Sequence, residues 1–173
     1  MTKVYPELLE IIHLNEQQRT ESLRRIFDRD ITNNYNFHLS QKRIHPIKSD
    51  GEPPLDTLFR HLTTREDKDE EGRSIRSRSF EPVRSQRLHW IKYLIESYHG
   101  LNVEVFSYED RDYKRRKDVI RTYIYDLNEN YVIILEPQRN NTNYYLLTAY
   151  HLNEPGGKKQ IDKKLKKKLV KVY

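Results

Sequence analysis

The stretch YVIILEPQRNNTNYYLLTAY, residues 131–150, decides how this chain is read. Two apolar runs, rich in β-branched and aromatic side chains, flank a Pro/Asn/Thr turn, the pattern of a β-hairpin. A glycine pair, Gly156 and Gly157, and a lysine-rich tail follow it. A sheet that ends in a cationic segment points to a phosphate-rich partner. In the second run, strict alternation puts Tyr144, Leu146, Thr148, Tyr150 and Leu152 on one side and Tyr145, Leu147, Ala149 and His151 on the other. Thr148 is the polar side chain well inside that run, either a strand filler or a hydroxyl aimed into a site.

Working outward, residues 103–108, 119–126, 131–136 and 144–152 are four strand candidates joined by short polar turns, as in an antiparallel meander. Before them, residues 82–98 read as the best helix, with Pro82 in its first turn and Gly100 as its stop. Leu88, Ile91, Leu94, Ile95 and Tyr98 make one narrow apolar face, which Arg84 and Arg87 continue toward the N-terminus. Cations in the first turns oppose the helix dipole by about 0.3–1 kcal/mol each when exposed. On a core-facing side a charge is costlier still. Either the face opens into an anion-binding cleft, or both stems snorkel to solvent and pair with Glu81 or other acidic residues.

In the first half of the chain, residues 15–28 form a helix capped by Asn15, with Gln18 at the capping-box position and Leu23, Ile26 and Phe27 on one face. Residues 32–54 are polar and punctuated by His45-Pro46, Asp50-Gly51 and Pro53-Pro54, which reads as an irregular connection. Leu55, Leu58, Phe59 and Leu62 then repeat at helical spacing. Residues 63–79 are dense in charge with no apolar period and read as a mobile loop. Helices followed by strands make the fold class α+β. The division expected is an N-terminal helical extension and connection over 1–54, then an α+β domain over 55–173.

The tail has Ile161, Leu165 and Leu169 at four-residue steps, a thin apolar seam ringed by Lys158, Lys159, Lys163, Lys164, Lys166, Lys167 and Lys168. Such a basic helix attracts a nucleic acid backbone through counterion release, or else is simply a solvated helix. The whole chain has 173 residues, 32 basic against 26 acidic, for a net charge of +6. It lacks cysteine, which excludes disulfides and thiolate zinc sites and is compatible with a reducing, cytoplasmic setting. No apolar run of about 18 residues occurs, and the first residues lack a signal-peptide pattern, so no membrane partner is expected. Thirteen tyrosines offer base-stacking surfaces. There is no glycine-rich phosphate loop and no persuasive metal-ligand spacing, so neither metal nor cofactor is expected. Of the seven histidines, His61 stands out because it ends a short apolar helix and precedes the charged segment, ahead of His45 and His151.

RHLTTRE at 60–66, SFEPVRSQRLHWIKYLIE at 79–96, YVIILEPQR and NYYLLTAY together resemble the phage-associated nucleases of the Barnase-EndoU-Colicin-RelE superfamily. The resemblance runs from His61 to the C-terminus and leaves out the first fifty or so residues. It implies a compact α+β ribonuclease in which a long helix meets a curved four-stranded meander, acting without metal on tRNA, mRNA or other cellular RNA. The ribose 2′-hydroxyl would attack the adjacent phosphate and leave a 2′,3′-cyclic phosphate. Carried over by position, Arg84 and Arg87 would grip the scissile phosphate, Thr148 would hydrogen-bond a phosphoryl oxygen, and His61 would serve as general base or acid. Arg121 and Arg139 would touch phosphate, Tyr150 would stack on a base or relay a proton, and Lys158, Lys159, Lys163 and Lys164 would hold the remaining RNA. A barnase-like Glu/His pair in the strands is not identifiable. Such an enzyme would serve as a phage, mobile-element or toxin/defence effector, for which an antitoxin or immunity protein is a candidate partner. The alternatives are a noncatalytic RNA- or DNA-binding module on the same fold, and a protein-interaction component of a defence system.

Overall fold

The computed structural model describes residues 4–46, 54–100, 102–138 and 141–173. Its elements in order are α1 (Glu16–Phe27), a π-helical turn (Asp28–Thr32), β1 (His38–Leu39), β2 (Lys42–Pro46), α2 (Pro54–Thr63), β3 (Thr64–Lys68), β4 (Ser74–Phe80), α3 (Pro82–Ser85), α4 (Trp90–Ser97), β5 (Val103–Asp112), β6 (Lys117–Asp126), β7 (Tyr131–Pro137), β8 (Asn143–His151) and α5 (Gly157–Lys166). The fold is α+β around a curled mixed sheet of six strands, ordered β1-β2-β8-β7-β6-β5. Among the described residues β2 and β8 alone pair in parallel; the meander β5 to β8 is antiparallel throughout.

Each face of the sheet buries a separate core. On the first, Ile124, Ile133, Leu135, Leu146 and Ala149 pack against Leu23 and Phe27 of α1, Leu58 and Leu62 of α2, and Trp90, Ile91 and Leu94 of α4. On the second, Phe106, Tyr123, Tyr125, Val132 and Ile134 meet Leu152 and Ile161, the latter on α5. A fully buried side chain of this size stabilises the fold by about 1.5–3 kcal/mol. α1 starts as its sequence indicates: Asn15 Oδ1 accepts from Gln18 N–H at 2.9 Å, and the Gln18 side chain answers on the Asn15 N–H.

Several expectations are corrected. Residues before 54 are no appendage, since β1 and β2 extend the main sheet and Ile11, Leu23, Phe27, Ile31, Phe37, Leu39 and Ile44 lie in the first core. The segment read as a mobile loop is the β3–β4 hairpin, turning at Asp69 and Gly72. It escaped notice because the ribbon is largely solvated on both faces, which leaves no apolar alternation. The long helix is broken: Arg87, Leu88, Trp90 and Ile91 N–H groups bond carbonyls three residues back, a tighter winding between α3 and α4. The Gln86 carbonyl accepts from the Leu9 N–H, an outside partner for what a continuous helix would satisfy, and the Arg87 carbonyl accepts from the Tyr131 hydroxyl in addition to the Trp90 N–H.

The face assignment of β8 also changes. Ile134 pairs with Thr148 but Leu135 pairs with Leu146, so Leu147 is one residue too many in a β-bulge. Tyr144 and Leu146 therefore join the first core, while Leu147, Thr148 and Tyr150 turn toward the second. Strict alternation would have put Tyr144, Leu146 and Thr148 together. Finally, α5 ends at Lys166, and Leu169 lies past it in an extended segment whose N–H donates to the Ser107 carbonyl at 2.8 Å.

Candidate functional site

On the second face Ile161 of α5 packs with Phe106, Tyr123 and Tyr125 of β5 and β6, while Thr148 and Tyr150 of β8, in the same cross-strand rows as Tyr123 and Tyr125, stay half-buried. α2 and α3 pack beside β8, and the end of α2, β4 and α3 supply His61, Arg78 and Arg84. Lys114, in the turn between β5 and β6, is near enough for its charge to act on His61.

His61 is the centre of this cationic group. Burial, and then the charges of Arg78, Lys114, Arg60 and Arg84, hold its imidazole below the ordinary histidine range. It is therefore neutral at pH 7, and its ring makes no hydrogen bond among the described residues. A neutral, half-buried imidazole among cations is suited to accepting a proton from a group bound to phosphate. Lys114 is exposed and makes no ion pair among the described residues, whereas Arg78 is committed to the Thr64 hydroxyl at 2.8 Å and the Thr64 carbonyl at 2.9 Å.

Arg84 is placed beside His61 for a structural reason as well. Its Nη1 donates to the His61 carbonyl, in the last turn of α2, at 2.7 Å and to the Thr64 carbonyl, at the start of β3, at 2.9 Å, the latter shared with Arg78. Glu81 N–H and Ser85 Oγ both donate to the Thr63 carbonyl, clamping α3 onto the same helix end. The Arg84 guanidinium lies 5.4 Å from the centre of the Tyr150 ring, and its buried Nε has no partner among the described residues. Burial pushes this guanidinium down, with Glu81 opposing. Burial raises the Tyr150 phenol, Arg84 and Arg121 lower it, and Asp110 adds to the rise, so it stays protonated.

The arginine meant to accompany Arg84 is turned elsewhere. Arg87 Nη1 donates to the Val83 carbonyl at 2.9 Å, and its guanidinium lies 5.0 Å from the Trp90 ring, against the first core. The chain thus brings together His61, Arg84 and Tyr150, and leaves Arg87 out. Thr148 lies on the second face two residues from Tyr150, half-buried and with no side-chain hydrogen bond among the described residues. The β8 side chain that Arg84 meets is Tyr150.

The RNA-contact candidates divide by their partners. Lys164 Nζ donates to Asp110 at 2.6 Å and to the Tyr123 hydroxyl at 3.1 Å, and Arg121 reaches Asp110 at 3.4 Å and Asp112 at 3.5 Å. Burial pushes the Asp110 carboxyl up, but Lys164, Tyr123 and Arg121 outweigh it and hold it below the ordinary range. Lys158 is paired with Asp162 and the Tyr125 hydroxyl. Lys159 and Lys163 are exposed and unpaired among the described residues. Arg139 lies outside the described residues.

The chain matches no protein-family model, no characterised protein and no solved structure. Among the described residues no group of three or more His, Asp or Glu side chains is placed to hold a metal, and no helix is long and apolar enough to cross a membrane. Sequence reasoning missed Arg78 because it sits in the misread hairpin. Lys114 had a signal, the run KRRK at 114–117, but only the curl of the sheet brings it to His61.

Proposed function

We propose that the protein is an endoribonuclease that cleaves without metal, with His61 as its general base. The observation that carries this reading is the half-buried His61, whose carbonyl accepts from Arg84 at 2.7 Å and whose imidazole is held below the ordinary range by burial and the charges of Arg78, Lys114, Arg60 and Arg84. The resemblance of residues 60–66 and 79–96 to the nuclease superfamily supports the same assignment. In the reaction, the 2′-hydroxyl oxygen forms a bond to the adjacent phosphorus while the bond from phosphorus to the 5′-oxygen breaks. His61 takes the 2′ proton, and the Tyr150 phenol supplies a proton to the departing 5′-oxygen. Lys114 and the arginines stabilise the extra negative charge as it develops. Thr148, half-buried on β8 two residues from Tyr150, donates to a phosphoryl oxygen. The partner is a flexible stretch of cellular RNA, and an antitoxin or immunity protein would act by covering these residues.

The test is incubation with total RNA in excess EDTA, followed by analysis of the fragment ends. Cleavage leaving 2′,3′-cyclic phosphate and 5′-hydroxyl ends, lost in His61→Gln, is the expected outcome. Intact RNA in the presence of folded protein, or cutting only with an added divalent ion, would falsify the proposal. A second reading, a noncatalytic RNA-binding module, is favoured by one observation: Arg84 and Arg87 spend guanidinium N–H groups on backbone carbonyls. It predicts salt-dependent RNA binding with no cleavage to lose.

A further inference from the structure

Strands β6 and β7 pair only where residues 122–126 face 131–135; beyond that they part. Val119 on one side and Pro137 on the other border a cavity of about 700 Å³ in the gap. That lies within the roughly 300–1,000 Å³ usual for ligand pockets. Residues 117–121 pair with β5 alone, so alternate backbone N–H and C=O groups point into the opening.

Two devices hold it open. Across its mouth Arg115 makes a bidentate pair with Glu136, both bonds at 2.8 Å, and reaches Asp112 at 3.0 Å. On the far side the segment after α5 crosses the edge strand β5 and is pinned at Tyr173. The Tyr173 N–H donates to Ser107 Oγ at 2.9 Å, and its carbonyl accepts from Thr122 Oγ1 at 3.0 Å and from the Tyr144 hydroxyl.

The lining combines what the parts of one nucleotide need. Tyr145 offers an aromatic ring beside the apolar Val119 and Leu147, Gln138 and Asn141 offer amides, and Lys117 and Lys171 offer charge. Lys42 already occupies the Asn141 Oδ1, which leaves that amide as a donor. Both lining lysines are exposed and without an ion pair among the described residues.

We propose that this cavity receives one unstacked base of the RNA strand and reads its identity. The base stacks on Tyr145, its edge meets Gln138, Asn141 and the unpaired backbone groups of β6, and the adjoining phosphates rest on Lys117 and Lys171. The proposal rests on the RNA reading above and gives the enzyme a base preference independent of its catalytic groups.

The test uses the full chain carrying His61→Ala, so that no substrate is consumed, titrated with labelled single-stranded oligomers of A, C, G and U and with the four mononucleotides as competitors. One oligomer should bind best. Tyr145→Ala should weaken that oligomer by about 5- to 150-fold, the range worth one stacking contact, and level the preference among the four. Gln138→Ala, a milder change, should also level it, which guards against misfolding of the tyrosine variant. Wild-type preference retained in both folded variants overturns the base pocket while leaving RNA binding intact. A mononucleotide that binds as tightly as the best oligomer overturns it too, since the site would then serve a free nucleotide. Failure of every oligomer to bind removes the RNA reading itself.

Discussion

At His61, desolvation and four neighbouring cations act in the same direction. If the imidazole is the base, the rate rises as it loses its proton, and that happens below the ordinary value of 6.5. Cleavage should therefore hold its plateau into mildly acid solution, and Lys114→Ala should move the acid limb toward higher pH. A pH–rate profile of both proteins checks this; an unmoved limb would show that Lys114 does not act on the base. The same sign governs stability. His61, His89 and His151 all have folded pKa values pushed down by burial, so the unfolded chain takes up protons first. The stabilisation is complete above about 6.5 and is lost as pH falls through the lower folded values. Thermal melts between pH 8 and 5 should show Tm level at first and then falling. Arg84→Ala, for its part, removes a charged donor from the His61 and Thr64 carbonyls, and urea unfolding should show a loss of about 1.5–3 kcal/mol.

Among elements, α5 shows how one helix can carry two kinds of lysine. Lys164 faces inward to Asp110 and the Tyr123 hydroxyl, with its side chain 25% exposed and that of Asp110 18% exposed. Lys159 and Lys163 face solvent. Replacing Lys164 by Met should cost about 1–3 kcal/mol, because a half-buried carboxylate loses a charged donor. Lys163→Ala should stay within about 0.5 kcal/mol. Binding should separate the two classes in the opposite order. Removing Lys159 and Lys163 together should reduce the salt slope of single-stranded RNA affinity by about 1.4, at about 0.7 per lost phosphate contact. Equal slopes for the double variant and the wild type would mean that α5 does not touch the backbone. The run of lysines was plain in the sequence, but which of them was already spent on Asp110 or Asp162 depended on the strands beneath.

For the molecule as a whole, the first fifty residues matter more than their composition indicated. Ile11, Leu23, Phe27, Phe37 and Ile44 belong to the first core, β2 is the parallel neighbour of β8, and the Tyr5 hydroxyl donates to Asp126 at 2.8 Å. A chain beginning at residue 55 should lose cooperative unfolding by denaturant, monitored by Trp90 fluorescence, rather than merely lose a regulatory segment. A sharp, wild-type transition for that fragment would show that the core closes without these residues.

The sequence by itself determined the elements whose signals are local. The Asn15 capping box, the apolar stripe of Leu58 and Leu62 on α2, and the four strands of the meander could be read because side-chain period and capping chemistry act within a few residues. Tertiary structure alone decided the rest. The bulge that parts Thr148 from Leu146, the break between α3 and α4, and the parallel pairing of β2 with β8 depend on partners far along the chain. So does the candidate site. Arg84 and Arg87 look equivalent when helical spacing alone places them, yet one caps α2 beside His61 while the other folds back onto Val83 and Trp90. Periodicity records which face a residue occupies, but a charge is positioned by the carbonyls, rings and carboxylates that packing brings to it, and those come from everywhere in the chain.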